Sequence, residues 1–162
     1  MRKMLAVAGT VALLSMAACT AETAGGPTAK WSAPGGAEAP AEPEVRVQQT
    51  ALGEILTDQG GRTLYAFVPD KKGFGSCTED CQATWPPFVS GQKPKAGPGV
   101  DPALLTVIPT EGGVDQVKYA DWPLYTYVAD VGPGDVDGQG EEDGQWWVVG
   151  TDGTLNKKSA AE

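Results

Sequence analysis

The segment Leu64-Tyr65-Ala66-Phe67-Val68-Pro69-Asp70 returns as Leu124-Tyr125-Thr126-Tyr127-Val128-Ala129-Asp130, offset by 60 residues. A pattern L-Y-x-aromatic-V-x-D carried twice in a short chain predicts a duplicated β architecture. Strand alternation puts Tyr65 and Phe67 on one face and Leu64, Ala66 and Val68 on the other. Each aspartate, Asp70 and Asp130, falls just past the strand end, where a carboxylate can accept hydrogen bonds from turn N–H groups. Two similar hairpin units explain the repeat without a ligand. The alternative is that the Tyr/Asp pairs of the two copies line related ligand sites.

The surrounding texture is also β. The run from Val45 to Asp58 alternates, breaks at Asp58-Gln59-Gly60-Gly61 and resumes over Arg62–Val68, which reads as a hairpin around a Gly-Gly turn. A second pair of runs spans 117–120 and 123–128, and a third spans 145–150 and 154–156 around Asp152-Gly153. Proline recurs between the runs, where a missing N–H costs no ladder bond. Asp101-Pro102-Ala103-Leu104-Leu105 reads as one capped helical turn and Glu79–Thr84 as another. The predicted class is mostly β: a small antiparallel β domain over 45–156, built from two related hairpin repeats at about 50–90 and 104–150. One or two short helical turns and one disulfide complete it.

The N-terminus predicts export. Arg2 and Lys3 precede an apolar run from Met4 to Leu14, and Ser15-Met16-Ala17-Ala18-Cys19 follows, the arrangement of a secretory signal over residues 1–18. The apolar run is shorter than the ~20 residues of a membrane-spanning helix. A cysteine directly after small residues resembles the lipobox of bacterial lipoproteins, with Met16 where leucine is usual. That resemblance implies a lipidated, palmitate-bearing Cys19 and anchoring at the outer face of the cell membrane. Ordinary secretion is the alternative. Residues 19–44, rich in Ala, Gly, Pro and Glu, cannot bury enough apolar surface to order themselves and read as a disordered tether. Residues 157–162 read as a disordered tail.

Composition narrows the function further. The 162 residues include no histidine, and the three methionines, Met1, Met4 and Met16, all precede Cys19. The mature chain therefore lacks imidazole and thioether ligands for copper, zinc and most haem sites. It also lacks the commonest general acid–base residue and every Ser-His or Cys-His arrangement. Loss of Arg2 and Lys3 leaves 10 basic against 21 acidic residues, a surface that disfavours nucleic acid.

The repeated motif, with its flanks, is similar to that of a family of predicted secreted lipoproteins defined by Y-x-[FWY]-x-x-D. The motif stands here as Tyr65, Phe67 and Asp70, then as Tyr125, Tyr127 and Asp130. Cys77-Thr78-Glu79-Asp80-Cys81 leading into Trp85-Pro86-Pro87, the lead-in Trp122-Pro123, and the closing Trp146-Trp147-Val148-Val149 resemble the family's flanks. The resemblance spans roughly residues 50–153. It implies an exported envelope protein and brings no known activity.

Four sets of residues could carry chemistry. Cys77 and Cys81, in an oxidising compartment, read as a disulfide that fixes the turn into Trp85; the rival is a redox-active pair, although C-x-x-x-C is not the usual spacing. The acidic segment 130–144 reads as solvated loop, with Asp130, Asp135, Asp137 and Asp143 as the calcium alternative. It lacks the spacing of an EF-hand. Adjacent Trp146 and Trp147 cannot both face inward from one strand, so one of the two is a candidate exposed aromatic for an apolar or carbohydrate ligand. Carboxylate catalysis would need a facing pair that nothing marks. The expectation is a non-catalytic, membrane-anchored extracytoplasmic binding or structural module. No cofactor is expected unless calcium binds. Its partner would be a cell-envelope protein or a small ligand. The alternatives are an extracytoplasmic thiol/disulfide module and a calcium-dependent binding domain.

Overall fold

The computed structural model describes residues 42–70, 75–110 and 113–159. The signal, Cys19 and the tether as far as residue 41 lie outside the described residues. Chain order runs β1 (Glu44–Thr50), β2 (Gly53–Asp58), β3 (Tyr65–Phe67), α1 (Glu79–Thr84), β4 (Val89–Ser90) and β5 (Lys95–Ala96). It continues with β6 (Leu105–Ile108), β7 (Asp115–Tyr119), β8 (Trp122–Pro123), α2 (Glu141–Gly144) and β9 (Trp146–Val148). The fold is mostly β with short helical turns, as the residue pattern predicts.

The strands form three small sheets, ordered β2-β1-β5, β3-β9 and β4-β7-β6, with β8 pairing the last residues of β7, Lys118 and Tyr119. The first half of each repeat builds an antiparallel hairpin. In β1–β2 the register sets Val45 opposite Asp58 and Thr50 opposite Gly53; in β6–β7 it sets Leu105 opposite Tyr119. The second half of each repeat crosses to the other copy. β3 of the first repeat pairs with β9 of the second, and β4 of the first pairs with β7 of the second. Backbone bonds tie the crossing down: Leu56 N–H donates to the Val149 carbonyl at 3.0 Å, and Val117 N–H to the Phe88 carbonyl at 2.8 Å.

Because β3 is buried on both faces, alternation along it divides the core in two. Leu64, Ala66 and Leu124 enter one apolar cluster with Val45, Leu56 and Val117. Tyr65, Phe67 and Tyr125 enter the other with Ile55, Trp85 and Trp146. The face assignment read from the repeat holds for Leu64, Tyr65, Ala66 and Phe67, but Val68 leaves the strand to begin a 3-10 turn over Val68–Asp70 and joins neither cluster.

Some local readings need correction. Val45–Asp58 is not one strand. Thr50 Oγ accepts the Leu52 N–H at 3.2 Å, and Gly53 takes φ +99°, so the chain reverses at Ala51-Leu52. The Gly60-Gly61 turn survives as a narrower link, with Thr57 opposite Thr63. Asp101–Leu105 is a turn and no helix: Asp101 Oδ1 accepts the Ala103 N–H at 2.8 Å, but Leu105 already belongs to β6. The ends also differ from expectation. β1 takes in Glu44, and the Lys158 carbonyl accepts Gln139 Nε2 at 2.8 Å, so ordered contacts reach into both flanks.

Candidate functional site

The repeat motif meets itself at the centre of the molecule. Tyr65 N–H donates to the Tyr125 carbonyl at 2.9 Å and Tyr125 N–H to the Tyr65 carbonyl at 3.0 Å, so a pseudo-two-fold axis passes between them. From this crossing the side chains reach outward to the opposite copy. Tyr65 Oη donates to Asp130 Oδ2 at 2.8 Å, and Tyr125 Oη donates to Asp70 Oδ2 at 2.7 Å. Each carboxylate's other oxygen takes a turn N–H: Asp137 N–H on Asp130 Oδ1 at 3.0 Å, and Ser76 N–H on Asp70 Oδ1. The tyrosine of one repeat thus caps the aspartate of the other.

Electrostatics follow from burial. Loss of water pushes the Asp130 carboxyl up to about 6. The Tyr65 hydroxyl and the Asp137 N–H oppose that rise, while the charges of Asp137 and Asp135 add to it. Burial likewise raises the Tyr65 and Tyr125 hydroxyls far above the ordinary tyrosine value, with the facing carboxylates reinforcing it. Both phenols stay protonated and act as donors.

A column of four rings runs through the same region. Phe67 stacks on Trp146 with centroids 4.4 Å apart, Trp146 on Trp85 at 3.9 Å, and Trp85 on Tyr127 at 4.3 Å. The second motif aromatic of each repeat therefore covers the tryptophan of the other. Trp85 Nε1 donates to Glu142 Oε1 at 3.0 Å. Among the described residues, Trp146 Nε1 is a buried side-chain polar atom with no hydrogen-bond partner.

This geometry relocates several expected site residues. Trp146 is not an exposed aromatic: its side chain is fully buried in the ring column. Trp147, on the opposite strand face, is half-buried; its Nε1 donates to the Gly144 carbonyl at 2.7 Å, and Lys157 Nζ lies 5.6 Å from its ring centroid. Of the acidic candidates, Asp130 is committed to Tyr65. Asp135 accepts the Val131 and Gly132 N–H groups at 3.1 and 2.6 Å. Asp137 and Asp143 point to solvent. Among the described residues no group of three or more His, Cys, Asp or Glu side chains is gathered as a metal ion would need. Cys77 and Cys81 form a disulfide across Cα atoms 5.2 Å apart, and Trp85 N–H closes α1 on the Cys81 carbonyl at 2.8 Å.

The crossed pairs and the ring column escaped sequence reasoning. Their signal was present: Phe67 and Tyr127 recur at offset 60, and Trp85 and Trp146 at offset 61. A cleft of about 680 Å³ opens beside the second pair, with Gly75, Cys77, Pro87, Val89, Ile108 and Tyr125 among its lining. A more open depression of about 610 Å³ lies between Leu52–Glu54 and the 150–158 segment and touches no motif residue.

The profile of a family described as a secreted repeat of unknown function matches residues 46–89 and again 106–150. The chain belongs to this family. Membership places the secreted-repeat protein among exported proteins, and its two matched copies are the two structural repeats, each with one tryptophan of the Trp85–Trp146 stack. Among the described residues no helix is long and apolar enough to cross a membrane. No curated protein and no solved structure matches the secreted-repeat chain.

Proposed function

We propose that this secreted-repeat protein is a non-catalytic module held by lipidated Cys19 at the outer face of the cell membrane, and that it binds a small apolar ligand in the cleft beside the disulfide. The observation that carries the non-catalytic reading is the internal pairing of Tyr65 with Asp130 and Tyr125 with Asp70. The buried titratable groups of the motif satisfy one another. A general acid or base must be free to meet a substrate proton. The cleft volume falls in the range of small-molecule sites, roughly 300–1,000 Å³, and Val89, 40% exposed, Pro87, Ile108 and Pro109 supply an apolar wall.

The test uses a neutral apolar fluorophore, N-phenylnaphthylamine, on the mature chain. Saturable binding that Val89→Glu abolishes supports the reading; no saturable binding overturns it. Anchoring has its own test. Cys19→Ala should move the protein from the membrane fraction to the medium, and an unchanged distribution defeats the lipid anchor. Calcium added after chelation is expected to leave the melting temperature unmoved, because Asp130 and Asp135 already accept hydrogen bonds from Tyr65 and from the turn N–H groups of Val131, Gly132 and Asp137. A calcium-specific rise would restore the metal alternative.

A further inference from the structure

We propose that the Cys77–Cys81 disulfide is a thiol–disulfide exchange site, attacked at Cys77 from the cleft and opened by departure of Cys81 as a thiolate that receives the indole N–H of Trp146. This goes beyond ligand binding and does not depend on it. Three observations converge. Cys77 is buried yet is one of the residues lining the cleft, the side from which a reductant can approach it. Cys81 packs against the aromatic cluster that contains Trp146. Among the described residues Trp146 Nε1 is buried without an acceptor, although a buried donor is costly to leave unpaired.

The pseudo-two-fold axis explains why the acceptor is missing. Trp85 gives its N–H to Glu142, four residues before Trp146. The residue four before Trp85 is Cys81. A carboxylate thus answers one indole, while the residue at the corresponding place is a disulfide cysteine, whose sulfur is a weak acceptor and makes no hydrogen bond to the Trp146 indole. Reduction turns that sulfur into an anion and so supplies the acceptor that the oxidised form lacks. Glu79 and Asp80 on the same turn work against a thiolate, which leaves the indole N–H as the group favouring it.

The reductant is an extracytoplasmic dithiol. One of its thiolates attacks Cys77 Sγ; the S–S bond breaks and its electron pair leaves on Cys81 Sγ. The second thiol of the reductant then attacks its own mixed-disulfide sulfur and passes its proton to the released Cys77. The reductant ends as a disulfide and the protein as Cys77 thiol and Cys81 thiolate, a two-electron exchange. Rates of such exchange rise as the leaving thiolate is stabilised.

The experiment equilibrates the full mature protein with dithiothreitol at mildly alkaline pH and follows the ¹H–¹⁵N indole resonances. The Trp146 resonance should move downfield on reduction, as expected for a new charge-assisted bond. Trp146→Phe should lower the equilibrium constant for reduction about tenfold, or ~30 mV for a two-electron couple. Trp147→Phe, whose N–H already has an acceptor, should leave it unchanged. A disulfide that resists the dithiol, or a Trp146 resonance that reduction leaves in place, overturns the proposal. Should Trp146→Phe fail to fold, the wild-type resonance decides alone. Neither readout involves the apolar fluorophore, so failure of the cleft reading and failure of this one are separate results.

Discussion

Tyr65 and Asp130 meet where water is excluded, and that burial, more than either partner, sets their charge states. Tyr65→Phe keeps the ring in its packing and removes only the hydroxyl, leaving Asp130 Oδ2 without its donor. The expected loss is about 1–3 kcal/mol, the cost of stranding a buried acceptor, read by chemical denaturation. Tyr125→Phe should behave alike through Asp70. Asp130 also predicts a pH dependence. Its folded carboxyl sits at about 6 against an ordinary 3.8, so the folded protein holds that proton more tightly than the unfolded chain. The stabilisation is therefore fully present below the unfolded value, fades as pH rises, and is gone above about 6. Acids with lowered values, such as Asp152, pull the other way. The quantity to measure is accordingly the stability difference between wild type and Asp130→Asn at each pH. That difference should shift against the wild type as pH rises between those two values, and a flat difference would refute the assignment.

At the level of elements, what the sequence reveals depends on whether an element is defined by its own residues or by its neighbours. Alternation in Leu64–Val68 is a local property, and it correctly divides Tyr65 and Phe67 from Leu64 and Ala66. The disulfide and α1 were legible for the same reason, being set within one turn of chain. The reversal at Ala51-Leu52 was hidden because buried Leu52 reads as one more apolar strand residue. Asp101 caps its turn as expected, but pairing of Leu105 with Tyr119 extends the chain before a helix can form. Periodicity names the face of Tyr65 and says nothing of its partner, so the crossed bonds and the burial of Trp146 lay beyond it. The acidic loop illustrates the same limit. Composition alone suggested solvated surface or a metal site, yet Gly138 lies against the core, and a Cβ there would stand 2.7 Å from the Trp85 ring and 2.9 Å from Tyr65. Gly138→Ala should cost about 1–3 kcal/mol by overpacking. Gly91→Ala, where a Cβ meets nothing within 4 Å, should leave the melting temperature nearly unchanged and serves as the control.

Across the whole molecule, the exchange of strands makes each repeat structurally incomplete. The first repeat receives β9 against β3 and gives β4 to β7; its tyrosine needs the aspartate of the second, and its Trp85 lies between two rings of the second. Removing either repeat would expose both clusters and strand the buried carboxylate of the other, so neither half retains a closed core. Unfolding should consequently be one cooperative transition, with backbone dichroism and indole fluorescence changing together. The segment joining the repeats allows a sharper test. A protease site placed at Gly91-Gln92 cuts an exposed stretch between β4 and β5. The nicked protein should stay associated in native buffer, held by the crossed strands. After denaturation its two fragments should refold at a rate that depends on protein concentration, because closing the core has become bimolecular. Two separable melting transitions, or fragments that each regain native indole fluorescence alone, would mean that the repeats are independent domains and that the Tyr65–Asp130 and Tyr125–Asp70 bonds join finished units instead of completing unfinished ones.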